Sequence, residues 1–109
     1  MATNYKVLGQ SAPSATTATT LYTVPSATEA VVSSIVIANR DASSATYRIA
    51  IRPNGASLAN EHYIAYDVTV GASDSTVLTL GLTLDAADIL EVYASTANLS
   101  FSAYGSEIS

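Results

Sequence analysis

The chain has no cysteine and no tryptophan, and only one histidine, one phenylalanine and one methionine among 109 residues. Without cysteine there is no disulfide framework, no thiol nucleophile and no thiolate metal site, and a reducing cytoplasm is a suitable place to mature. The single histidine, His62, falls short of the several nitrogen or sulfur ligands that a zinc site needs. Cations are scarce as well: Lys6, Arg40, Arg48 and Arg52 face nine acids, for a formal net charge of -5. A nucleic-acid partner would require a basic patch to release counterions, so none is expected. No apolar run approaches the ~20 residues of a bilayer span. The opening Met1-Ala2-Thr3-Asn4-Tyr5-Lys6 also lacks the basic start and apolar stretch of a secretory signal, so no membrane association is expected.

What the chain does have is small side chains in strand rhythm. Charged residues make up 12% of it, about half the usual share of a globular domain, while Ala, Ser and Thr supply roughly two-fifths. Hydroxyl and methyl surface is cheaper to desolvate than Lys or Glu, which suits lasting contact with other protein. At this length one domain can bury roughly two-thirds of its unfolded surface, enough for a single core without metal or disulfide support.

The longest alternating run, Glu29 to Arg40, carries apolar residues on both faces, with Val31, Ser33, Ile35 and Ile37 expected on one side and Val32, Ser34, Val36 and Ala38 on the other. It reads as a central strand. Thr46 to Arg52 alternates more cleanly, with Tyr47, Ile49 and Ile51 inward and Arg48 and Arg52 outward. Further strands are expected at Tyr5–Leu8, Thr20–Val24, His62–Val70, Ser75–Leu80, Ile89–Ala94 and Leu99–Tyr104, separated by turn-forming clusters such as Pro53-Asn54-Gly55. In the strand after His62, the spacing places His62, Ile64, Tyr66, Val68 and Val70 on one face, opposite Tyr63, Ala65, Asp67 and Thr69. A single helical turn is expected at Thr83–Asp88, capped by Asp85. Eight or nine short strands without a long helix predict an all-β, two-layer antiparallel sandwich of jelly-roll or Greek-key type. The expected division is an amino-terminal strand and extended arm over residues 1–19 and the sandwich over 20–109, forming one domain.

Chemistry is hard to find. A Ser-His-Asp arrangement would have to use His62, and no Gly-x-Ser-x-Gly elbow presents a nucleophile, so His62 reads as a strand residue with a satisfied ring. Asp85 and Asp88 are explained by turn capping, and together with Asp74 they lack the spaced acids of an EF-hand loop. No catalytic residue, metal or cofactor is expected. Partner contact is the better role for the remaining candidates. Arg48 and Arg52, four residues and so two positions apart on one strand face, are placed to pair with acids of a neighbouring subunit. Tyr63 and Tyr104 are expected outward, where an aromatic ring fills a partner's pocket or stacks on a sugar, and Tyr5 lies in the amino-terminal arm. Tyr22, Tyr47, Tyr66 and Tyr93 read as packing residues.

The segments Leu21-Tyr22-Thr23-Val24-Pro25, Val31 to Arg40, Tyr47-Arg48-Ile49-Ala50-Ile51-Arg52-Pro53 and Leu90-Glu91-Val92-Tyr93-Ala94-Ser95 together resemble small structural proteins of tailed bacteriophages, cyanophages among them. The resemblance runs from about Thr20 onward and consists of strand-and-turn patterns. It implies a capsid cement, or decoration, protein that stabilises the major capsid protein lattice at the virion surface after assembly in the host bacterial cytoplasm. It also leaves room for a tail or fibre module that binds host-surface carbohydrate or receptor. It implies no enzymatic residues. A homo-oligomer, trimer or dimer, would suit a lattice axis.

Overall fold

The computed structural model describes residues 2–109. Strands β1 (Thr3–Ser11), β2 (Thr19–Thr23), β3 (Glu29–Asn39), β4 (Ala45–Arg52), β5 (Tyr63–Val70), β6 (Ser75–Leu84), β7 (Ile89–Ala94) and β8 (Leu99–Ile108) follow one another, with 3-10 turns at Pro53–Gly55 and Asn60–His62. They form two antiparallel sheets, sheet A in the order β1-β8-β3-β6 and sheet B in the order β2-β7-β4-β5. The pairs β1·β8, β2·β7, β3·β6 and β4·β5 are those of one long hairpin bent at the β4–β5 connection, and rolling that hairpin up adds β3·β8 and β4·β7. This is jelly-roll connectivity, two Greek keys folded into a sandwich.

The core lies between the sheets because inward positions alternate along each strand. Val32, Ile35 and Ile37 of β3 and Leu99, Phe101 and Ala103 of β8 meet Tyr47 and Ile49 of β4 and Leu90 and Val92 of β7, all at most 1% exposed. Tyr47 and Phe101 pack edge to face across the sandwich, with ring centroids 6.4 Å apart and planes at 76°, a geometry that aligns a ring edge with a π face. Buried Asn39 ties the β4 and β5 ends together. Its amide nitrogen donates to the carbonyls of Ser43 and Gly71, and its oxygen accepts from the Asp41 N–H.

Several expectations change. Ser33 is the extra residue of a bulge in β3, opposite Gly105–Tyr104 of β8, so Val32, not Val31, joins Ile35 and Ile37 inside. A bulge shifts the two-residue period by one, which no count along a single strand detects. Irregularities in β5, one of them at Asp67 with φ 52°, do the same there: Ala65 turns inward, while Ile64 and Tyr66 turn out and are 46% and 57% exposed; Val68 and Val70 keep the inner face, opposite Tyr47 and Ala45. The helical turn expected at Thr83–Asp88 is instead a tight turn with Ala87 at φ 71°. Its one closing bond runs from Asp88 N–H to Asp85 C=O, and the Asp88 carboxylate accepts the Asp85 and Asn54 N–H groups.

The amino-terminal segment lies against its own sandwich. β1 pairs along β8 from Thr3↔Ile108 to Ser11↔Phe101, and the connection to β2 buries Pro13 and donates the Thr16 N–H to Ala94 C=O. His62 ends a 3-10 turn just before β5, where its Nδ1 accepts the Ala59 N–H at 3.0 Å.

Candidate functional site: two outer sheet faces

Directly paired residues of an antiparallel sheet share a face. Because Phe101 and Ala103 point inward, Ser100, Ser102 and Tyr104 point outward, and the ladder extends this face across all four strands of sheet A. One row joins Val7, Tyr104, Ser34 and Thr79, the next Gln10, Ser102, Val36 and Val77, and a third Tyr5, Ser106, Val31 and Thr83. Glu29 bounds the face at one end and Arg40 at the other, where Arg40 Nε donates to Ser100 Oγ. Between them lies no charged side chain. Tyr5 is 86%, Val77 61%, Val7 47% and Tyr104 36% exposed, the most open apolar groups of this sheet.

The outer face of sheet B has the opposite character. Arg48 lies with its guanidinium 4.1 Å from the Tyr66 ring centroid and 4.2 Å from that of Tyr93, a cation held between two π faces. Its Nε donates to Asp67 Oδ1 at 2.7 Å, and this bond to the carboxylate holds the guanidinium above its already high ordinary pKa. Tyr63 packs edge-on to Tyr66, centroids 4.9 Å apart. A neighbouring groove, floored by Ala50 and flanked by Leu58, Tyr63 and Tyr93, holds no more than about one water. It is a seam between side chains rather than a substrate pocket.

Each of the four cations has a partner inside the chain. Arg48 pairs with Asp67, Arg52 with Glu91 at 3.3 Å and Lys6 with Glu107 at 3.1 Å, while Arg40 holds Ser100 and the Ala97 carbonyl. Arg52 and Glu91 are mostly buried, with side chains 18% and 10% exposed, and Arg52 Nη1 also donates to Ala56 C=O. The two arginines therefore share one face, as their spacing implies, with their charge spent on the strands beside them. Arg52→Ala should cost about 1–2 kcal/mol in denaturant unfolding, because Glu91 loses its cation in a partly dry place; the buried, unpartnered Arg52 Nε keeps the figure below that of an ideal buried pair. An unchanged midpoint would show the pair to be idle.

Of the residues singled out from sequence, the structure brings Tyr5 and Tyr104 to the outer face of sheet A, in neighbouring rows, and Arg48, Arg52 and Tyr63 to that of sheet B. Tyr66 and Tyr93, read from sequence as packing residues, turn out to be the rings that hold Arg48. The signal that could have found Tyr93 is its direct pairing with Arg48, visible only once the β4·β7 register is known. No candidate cluster of three or more His, Asp or Glu capable of holding a metal occurs among the described residues. No family model matches the chain, and comparison with curated proteins finds no relative for it.

Proposed function

We propose that this protein is a virion structural protein of a tailed bacteriophage, a capsid cement protein that docks through the uncharged outer face of sheet A onto the major capsid protein lattice. The observation that carries the reading is that face: four strands wide, free of charge between Glu29 and Arg40, and studded with open Tyr5, Val7, Tyr104 and Val77. In a chain with net charge -5, a face without acids is where another protein can approach without burying unpaired carboxylates. Exposed tyrosines supply contact area at low conformational cost. The mechanism is mass action: a ligand that binds only the assembled lattice stabilises it by RT ln(1 + [L]/Kd) at every site.

The test is co-sedimentation of the purified protein with mature capsids that lack it, scored for saturation and for capsid survival on heating. Saturable binding with more heat-resistant capsids is expected. Tyr5→Ala combined with Val7→Asp should weaken binding at least about tenfold while leaving the fold intact, since both residues are open to solvent. Full occupancy by this variant would remove the face from the interface.

The tyrosine cluster on sheet B favours a second reading, a tail or fibre module that binds host-surface carbohydrate, with Tyr66 offered to a sugar ring. Saturable, sugar-competed binding on a glycan array that is lost in Tyr66→Ala would select it.

A further inference from the structure

Four strands form the lateral edges of the two sheets, and three of them are defended in the ways natural sheets use against strand pairing. β1 carries Lys6 and a bulge at Leu8. β2 has only five residues and is bulged at Leu21. β5 is interrupted twice and carries Asp67 at a left-handed φ of 52°. β6 is different. From Ser75 to Leu84 it contains neither charge nor proline, and its first half, Ser75–Thr79, pairs with Ala38–Ser34 without interruption. The other side of that half offers a straight row of backbone N–H and C=O groups. Beside the row, Leu78, Leu80 and Leu82 face inward at the open flank of the sandwich and are only partly buried.

We propose that the β6 edge binds a second copy of this chain, by antiparallel β6–β6 pairing about a two-fold axis. What fits a free strand edge is another strand, and the same edge on an identical chain is self-complementary under a two-fold: residue i meets j while j meets i. Centred on Val77, the pairing sets Ser75 against the partner's Thr79, Thr76 against the partner's Leu78, and Val77 against the partner's Val77. Asp74 then falls opposite the partner's Leu80, so the two Asp74 carboxylates sit roughly 20 Å apart. For two chains of net charge -5, this approach brings no acids face to face. It also covers the leucine flank and fuses the two copies of sheet A into one eight-stranded sheet. The pairing does not depend on the capsid reading. If that reading holds, the fused sheet doubles the docking face and gives the dimer two linked contacts.

The test is sedimentation velocity on the full chain from low to high micromolar concentration, with amide hydrogen exchange across β6 at both ends of the range. A dimer is expected, with concentration-dependent protection of those Ser75–Thr79 amides that point away from β3. Val77→Lys with Thr79→Lys, both on the exposed outer face, sets like charges across the pair and should raise the dimer dissociation constant at least about tenfold. A wild-type chain that stays monomeric with those amides unprotected overturns the proposal. So does a dimer that survives the double lysine variant, or one whose exchange protection falls on another strand. Because no capsid enters the experiment, its failure is separate from that of the cement reading.

Discussion

Gly105→Ala should destabilise the protein by at least about 3 kcal/mol, beyond the ordinary range for adding a methyl group to a packed interior. Gly105 pairs with Lys6 on one side and Val32 on the other, in the strand between β1 and β3. A Cβ built there would overlap the Val31 carbonyl oxygen, lie 2.9 Å from the Val31 carbonyl carbon and 3.1 Å from Val32 Cα. All three are backbone atoms of β3, beside the Ser33 bulge. No side chain can swing aside. Relief requires parting the two central strands of sheet A, and with them the ladder that holds Tyr104 and Ser34 on the outer face. Gly81→Ala is the matched control, because nothing lies within 4 Å of its added Cβ; it should stay within about 0.5 kcal/mol of the parent. Chemical denaturation of both variants decides the matter. Equal midpoints would mean that β3 and β8 yield more easily than their pairing implies.

The glycine clash also marks where sequence reading stops. The architecture is legible because it rests on alternation, which places Tyr47, Ile49 and Ile51 inward; the first two are buried and Ile51 packs against the core. Eight strand segments were legible for the same reason, with turn residues between them. The bulges were not, since Ser33 and Asp67 look like ordinary strand residues and become bulges only through the partners they face. The two register shifts in β5 moved Ile64 and Tyr66 from the expected core face to solvent, and they are what assembles the Tyr63–Tyr66–Arg48–Tyr93 cluster. The uncharged face of sheet A was hidden for a related reason. Tyr5, Tyr104 and Val77 are far apart in the chain and share a surface only because β1, β8, β3 and β6 are neighbours, an order set by the roll of the whole hairpin rather than by any one segment. Composition carried the hint in averaged form, as low charge and abundant hydroxyls.

The second large effect concerns a charged polar bridge between the sheets. The Tyr22 hydroxyl, on β2 of sheet B, donates to Glu107 Oε2 on β8 of sheet A at 2.6 Å, and Lys6 Nζ lies 3.1 Å from the other carboxylate oxygen. The Glu107 side chain is only 13% exposed, so its charge depends on these two partners for what water would otherwise supply. Tyr22→Phe should therefore cost about 2 kcal/mol at neutral pH, the range of a hydrogen bond to a charged group. The Tyr22 bond first, and Lys6 after it, hold the Glu107 carboxyl below its ordinary range. Between the folded and unfolded carboxyl values the unfolded chain binds more protons, so stability rises with pH across that window. The contribution is complete above the unfolded value of about 4.3 and is lost as pH falls through the lower, folded one. At the alkaline end the sign reverses. Burial, reinforced by the bond to Glu107, raises the Tyr22 hydroxyl above its ordinary value. Its contribution is therefore complete below about 10 and is lost as pH rises toward the folded value. The wild type should thus exceed Tyr22→Phe by a plateau between these limits and by progressively less on either side. Tyr47, also raised by burial, keeps some alkaline sensitivity in the variant. Urea midpoints of both proteins from acid to alkaline pH measure the difference directly. A gap that stays constant into strong acid would mean that the carboxylate form of Glu107 contributes nothing to holding the two sheets together.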